Sequence, residues 1–184
     1  MDIERTELEG LYILKPRVYA DDRGYFFESY NDREIRQQGL HYTWVQDNQS
    51  KSSYGVVRGL HYQLEPFAQT KLVRVVSGKI LDTAVDLRKN SPTFGKWKSL
   101  ILSDDNFLQI LIPKGFAHGF SVLSEEAIVF YKCDEYYHPE AERGIRFDDT
   151  YLEIDWQIPP EKIIVSEKDK EHPAFNQAEV NFQM

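Results

Sequence analysis

A chain of 184 residues, 41% hydrophobic and 28% charged, has the composition of one folded water-soluble domain able to bury a substantial core. Its net charge of −8 speaks against broad nucleic-acid or anionic-membrane binding, and no apolar run approaches the roughly 20 residues that span a bilayer. The single cysteine, Cys133, excludes an internal disulfide and fits a reducing cytoplasm, and the acidic start MDIERTELEG does not read as a secretory signal.

In chain order, strand signals dominate. GYFFESY (24–30) reads as the first long strand, on which Phe26 and Glu28 share a face. Asn31, with Glu34 three residues on and Gly39 at the end, predicts a helix between Asn31 and Gly39. TWVQDN, VVRGLHYQL, KLVRVVSGKILDTAVDL, WKSLIL, FLQILIP, GFSVL and AIVFYKCDEYY follow, rich in β-branched and aromatic residues and separated by turn residues. Ser77-Gly78 reads as a two-residue hairpin turn between KLVRVV and KILDTAVDL. Many short strands at even spacing predict an all-β sandwich or barrel. Pro159-Pro160 break the pattern, so residues 157–184 are expected to form a C-terminal extension packed on a single domain spanning 1–184.

The chemistry-bearing residues concentrate in three of these strands. VVRGLHYQ places His61 and Gln63 on one face and Leu60 and Tyr62 on the other, so the histidine faces solvent or a wet cavity. Regular alternation puts Arg58 opposite His61, unless a bulge at Gly59 re-aims it. Lys71 is in line with Val73 and Val75, a cation either snorkelling or held in a pocket. Tyr131 alternates with Val129 and Cys133; an isolated tyrosine there is ordinarily a core residue. A histidine base beside fixed cations suits proton removal from a carbon acid carrying a phosphate handle.

PKGFAH at 113–118 matches the PxGxxH turn of cupin barrels, which delivers a histidine, here His118, inward. Where a metal-binding cupin has a second histidine this chain has Gln63, and His41, His138 and His172 fall in loops, so no metal is expected. Arg23, Phe26 and Glu28 could be an edge protected by charge or a base-recognition patch, and SEKD at 166–169 would pass for a solvated charge run.

Together, DDRGYFFESYN (21–31), VQDNQSKS (45–52), VVRGLHYQ (56–63), QTKLVRVVSGKILDTAVDLRKNSPTFGKW (69–97), IPKGFAHGF (112–120), YKCDEYYHPEAERGI (131–145) and SEKD (166–169) resemble the dTDP-4-dehydrorhamnose 3,5-epimerases in order and spacing. The resemblance runs from about residue 10 to 170. It implies an all-β, cupin-type jelly-roll barrel with a few short peripheral helices, no metal or other cofactor, and a homodimer in which strand Gly24–Tyr30 reaches the partner's site. The implied substrate is a dTDP-4-keto-6-deoxy sugar, inverted at C3 and C5. By the same resemblance His61 is the general base, Asp169 the carboxylate that orients it, Tyr131 the general acid and Lys71 the cation at the C4 oxygen. His118, Arg23, Phe26, Glu28, Gln46, Asn48, Arg58, Tyr137, Glu142 and Lys168 match substrate-contacting positions. Phe147 and Thr150 depart from the tryptophan and proline that relatives often carry, outside the proposed chemistry.

Three readings compete with this one. They are a related 3- or 5-epimerase or ketoisomerase, a metal-dependent cupin enzyme using His61 and His118, and a non-catalytic nucleotide-sugar binding module. Binding alone would need neither His61 nor Tyr131. No GxGxxG turn for a dinucleotide is present.

Overall fold

The computed structural model describes residues Met1–Met184. Thirteen strands and two short α-helices run in the order β1 (Asp2–Arg5), β2 (Tyr12–Lys15), β3 (Tyr19–Asp21), β4 (Gly24–Phe26), α1 (Asp32–Gln37), β5 (Gln46–Ser53), β6 (Val57–Gln63), β7 (Lys71–Ser77), β8 (Lys79–Asp86), β9 (Trp97–Ser103), β10 (Gln109–Ile112), β11 (Phe116–Val122), β12 (Glu126–Cys133), β13 (Glu142–Gly144) and α2 (Glu167–Lys170). A six-stranded antiparallel sheet, β1-β2-β10-β7-β12-β5, faces a five-stranded one, β13-β6-β11-β8-β9, and β3-β4 form a separate hairpin. This is a jelly roll whose two sheets are not closed onto each other.

Alternation explains the layers. The core between the sheets takes Val73 and Val75 from β7, Ile80 and Ala84 from β8, Phe116 and Phe120 from β11, and Val129 from β12. The opposite faces of β6, β8 and β11 present Leu60, Tyr62, Val85 and Ala117 outward. Left to water, that apolar face would be costly. The C-terminal segment covers it with Trp156, Phe175 and Phe182, all buried. Every second position of β8 and β11 therefore points into the sandwich, and that alternation fixes the orientation of Asp82 and His118.

Helix α1 follows its sequence signals, with the Asn31 side chain accepting from the Glu34 amide and Gly39 at φ +83 just past the end. Two expectations are corrected. Ser77-Gly78 is not a hairpin turn, because β7 pairs with β10 and β12 while β8 pairs with β9 and β11. The chain crosses from one sheet to the other at Gly78, whose φ of +85 and close approach to the Glu126 carbonyl leave no room for a side chain. GYFFESY is also not one strand. Pairing with Tyr19–Asp21 ends at Phe26, and Phe27 turns to pack on Phe107, so Phe26 and Glu28 do not share a strand face.

Candidate active site

Strand β6 carries an irregularity that decides the site. Against β11, His61 pairs with His118 but Arg58 pairs with Phe120, so three steps on β6 match two on its neighbour. The extra residue falls at Gly59-Leu60, where Gly59 has φ +126 and a Cβ would stand 2.5 Å from the Gly119 Cα. The bulge returns Arg58 to the face that carries His61.

His61 Nε2 lies 2.8 Å from Asp169 Oδ1. The carboxylate is itself held: the Gly59 amide donates to Oδ2 at 3.2 Å, and the Asp169 amide donates to Ser166 Oγ at 3.1 Å. With Nε2 engaged, Nδ1 is the nitrogen left for the cleft. Burial works against the charge on Asp169, but the hydrogen bond and field of His61, with the Gly59 amide, bring its pKa down to about 2. A carboxylate depressed from 3.8 stabilises the fold above pH 4, and that contribution is lost as pH falls through about 2. Asp169→Asn should therefore cost about 2 kcal/mol at pH 7 and little at pH 2, read from denaturant unfolding at the two pH values.

Tyr131 projects from β12 in the facing sheet, opposite Val73 on one side and Asn48 on the other. Burial is the largest influence on its phenol and pushes the pKa up, while the Arg58 charge opposes the rise. The group keeps its proton in neutral solution and has a cation positioned to stabilise the phenolate when the proton leaves. Lys71, on β7 of the same sheet, has no carboxylate partner; its ammonium lies 5.9 Å from the Tyr131 ring. Burial away from water lowers its pKa, against the opposing fields of Cys133, Asp82 and Glu142. Arg58 donates from Nε to Ser52 Oγ at 3.0 Å and pairs with no carboxylate.

His118 is buried, and its Nε2 lies 2.8 Å from Asp82 Oδ2; the other oxygen of Asp82 is buried without a partner. Asp82 escapes the sequence reading, although a carboxylate between Ile80 and Ala84 on an inward face was its signal. The sequence puts His172 in a loop with no role. The structure places its ring 5.6 Å from that of His61, edge-on, and its Nε2 3.7 Å from Asp169 Oδ1. Burial lowers the His172 pKa.

The rim is a polar network. Tyr137 donates its hydroxyl to Glu142 Oε2 at 2.7 Å, and Lys168 donates to the same oxygen. Burial would raise the Glu142 pKa, but these two donors outweigh it and hold the carboxyl low. Gln46 accepts the Tyr137 amide at 3.1 Å and donates to Asn48 Oδ1 at 3.0 Å. His61, Gln63, Lys71, Tyr131, Tyr137 and Glu142 thus line one cleft, of about 100 Å³. A larger cavity of about 820 Å³ is lined by Phe147, Ile154, Trp156 and Ile163 but holds no histidine, tyrosine or cysteine, so size does not locate the chemistry.

Arg23, Phe26 and Glu28 are not brought to this cleft. They lie on or just after the β3–β4 hairpin, where Phe26 is 65% exposed, Arg23 pairs with Asp21 and Glu28 accepts from Asn31.

Comparison with known proteins decides the family. The family model described as dTDP-4-dehydrorhamnose 3,5-epimerase matches residues 5–177. The chain belongs to that family. It is 52% identical over 167 residues to the dTDP-4-dehydrorhamnose 3,5-epimerase of Methanothermobacter thermautotrophicus, covering 90% of each chain. The crystal structure of the same enzyme from Elizabethkingia anophelis superposes with a TM-score of 0.91 at 51% identity, covering 96% of this chain and 97% of that one. The dTDP-6-deoxy-D-glucose-3,5-epimerase of Legionella pneumophila, solved in complex with dTDP-4-keto-L-rhamnose, matches with a TM-score of 0.91 at 46% identity, over 96% of this chain and 93% of that one. Phe147 and Thr150 lie outside the cleft described above.

Proposed function

We infer that this epimerase inverts C3 and C5 of dTDP-4-dehydro-6-deoxy-D-glucose to give dTDP-4-dehydro-L-rhamnose, a step of dTDP-rhamnose biosynthesis. The observation that carries the reading is that the base and the acid come from different sheets: His61 from the five-stranded sheet, Tyr131 from the six-stranded one. Inversion at carbon needs a proton removed from one side and returned from the other, which a base and an acid on facing walls supply.

The C4 ketone acidifies the hydrogens at both C3 and C5, so one enolate-forming site serves both carbons. His61 Nδ1 takes the carbon-bound proton, and Asp169 supports the imidazolium through Nε2–H. The electron pair moves onto the C4 oxygen, where Lys71 offers an unpaired ammonium. Tyr131 then delivers its proton to the opposite side of the carbon, and Arg58 and Lys71 stabilise the phenolate. Each inversion leaves His61 one proton richer and Tyr131 one poorer, so solvent must reset both before the second carbon reacts. No hydride moves, and Lys71 supplies the charge a metal would, so neither nicotinamide nor metal is needed.

Arg58, Gln46, Asn48, His118, Tyr137, Glu142 and Lys168 would hold the diphosphate, sugar and thymine. Arg23, Phe26 and Glu28, with exposed Tyr19 and Tyr25 beside them, fit a homodimer in which segment Gly24–Tyr30 completes the partner's site. Light scattering should give twice the chain mass, with the whole chain 1–184 acting as one domain. Cys133 is free, no helix is long and apolar enough to cross a membrane, and we place the enzyme in the cytoplasm.

The test is conversion of dTDP-4-dehydro-6-deoxy-D-glucose by protein exhaustively dialysed against chelator, followed by proton NMR. Turnover should be unchanged by chelation. Loss of turnover restored by a divalent ion would contradict the metal-free mechanism.

A further inference from the structure

We propose that His61, Asp169 and His172 form a latent Zn²⁺ site that, when filled, switches off the catalytic base. They are the one set of three histidine, cysteine or carboxylate side chains whose ligand atoms converge, all within 4.8 Å of one another. Asp169 Oδ1 stands between the two rings, 2.8 Å from His61 Nε2 and 3.7 Å from His172 Nε2. Around tetrahedral zinc, with bonds of about 2.0–2.2 Å, ligand atoms stand about 3.3–3.5 Å apart. Side-chain shifts of about an ångström would bring the three to that spacing.

A second observation points to a ligand. His172 Nε2 is buried and makes no hydrogen bond. Its ring is wedged against Gly144, where any larger residue would collide with it, and only 12% of the side chain is exposed. A buried ring nitrogen left unpaired beside a carboxylate costs free energy, which a metal ion would recover. Asp169 is already oriented by the Gly59 amide and by Ser166 in the way outer partners orient a metal-binding carboxylate. The set is distinct from a cupin centre built on His61 and His118, because His118 is not among the side chains whose ligand atoms converge there.

The consequence for catalysis follows from the tautomer. Neutral His61 with its proton on Nε2 keeps a lone pair on Nδ1 for the substrate. Zinc bound at Nε2 takes that nitrogen's lone pair, and the single ring proton moves to Nδ1. No proton is gained or lost by the ring, yet the nitrogen facing the cleft is no longer a base.

The inference rests on His61 being the base, and the experiment separates the two claims. Titration calorimetry with zinc chloride should show one Zn²⁺ per wild-type chain, a result that requires no turnover. Epimerase assays across buffered zinc concentrations should show inhibition reversed by chelator. His172→Gln should keep zinc-free activity and raise the half-inhibiting zinc concentration at least about ten-fold, since loss of even an outer partner weakens metal sites 10–100-fold. His172→Asn provides the same comparison if the glutamine variant does not fold. Absence of zinc binding by the wild type, or equal zinc sensitivity in wild type and His172 variants, would overturn the site. Zinc binding that depends on His172 without inhibition would instead overturn the switch alone, while loss of zinc-free hydrogen exchange in His61→Ala tests the base role separately.

Discussion

Replacing His61 by alanine should abolish hydrogen exchange with solvent at both C3 and C5 of the 4-keto sugar, because neither enolate can form without the base. A positioned base contributes about 10²–10⁴ in rate, equivalent to about 3–5 kcal/mol of barrier. The loss should appear in kcat with little change in KM. The rim network of Tyr137, Glu142 and Lys168, which would hold the nucleotide, does not depend on the His61 ring. NMR in deuterated buffer reads the exchange directly. Wild-type exchange at either carbon in the alanine variant would remove His61 from its role.

Tyr131→Phe should behave differently, and the contrast is the larger test of the two-sided mechanism. The ring still fills its place on β12, so packing is conserved, but the phenol proton is gone. His61 can still form the enolate and, after its own proton exchanges with solvent, return a deuteron to the side it came from. The expected result is exchange with configuration retained and inversion slowed by about 10² or more. If exchange is lost together with inversion, the phenol also stabilises the enolate; if inversion continues at the wild-type rate, Tyr131 is not the acid.

Much of this site was legible because strand alternation is a local property. HYQ within VVRGLHYQ, KLVRVV and AIVFYKC each assign faces correctly: His61 and Gln63 reach the cleft while Leu60 and Tyr62 pack under the C-terminal segment, and Lys71 and Tyr131 line the cleft from the facing sheet. The glycine at 59 also carried its signal, since a bulge was the one way to bring Arg58 round to His61. Pairing is not local. Ser77-Gly78 has the residues of a hairpin turn, but the partners of β7 and β8 are chosen by distant strands, so the turn became a crossing between sheets. GYFFESY has strand propensity throughout, yet only three residues find a partner. Asp82 and His172 went unread for a related reason. Each lies against a histidine distant in the chain, Asp82 against His118 and His172 against His61, so neither neighbour shows in the local sequence.

In the proposed reaction, protons leave and return at two carbons from opposite walls of one cleft. The most direct measurement is the wild-type reaction in deuterium oxide, with deuterium located by carbon and the configuration of each centre assigned by NMR. One deuteron at C3 and one at C5 are expected, with both centres inverted and none at C1 or C2. Deuterium confined to one of the two carbons, or inversion without deuterium from solvent, would contradict that mechanism.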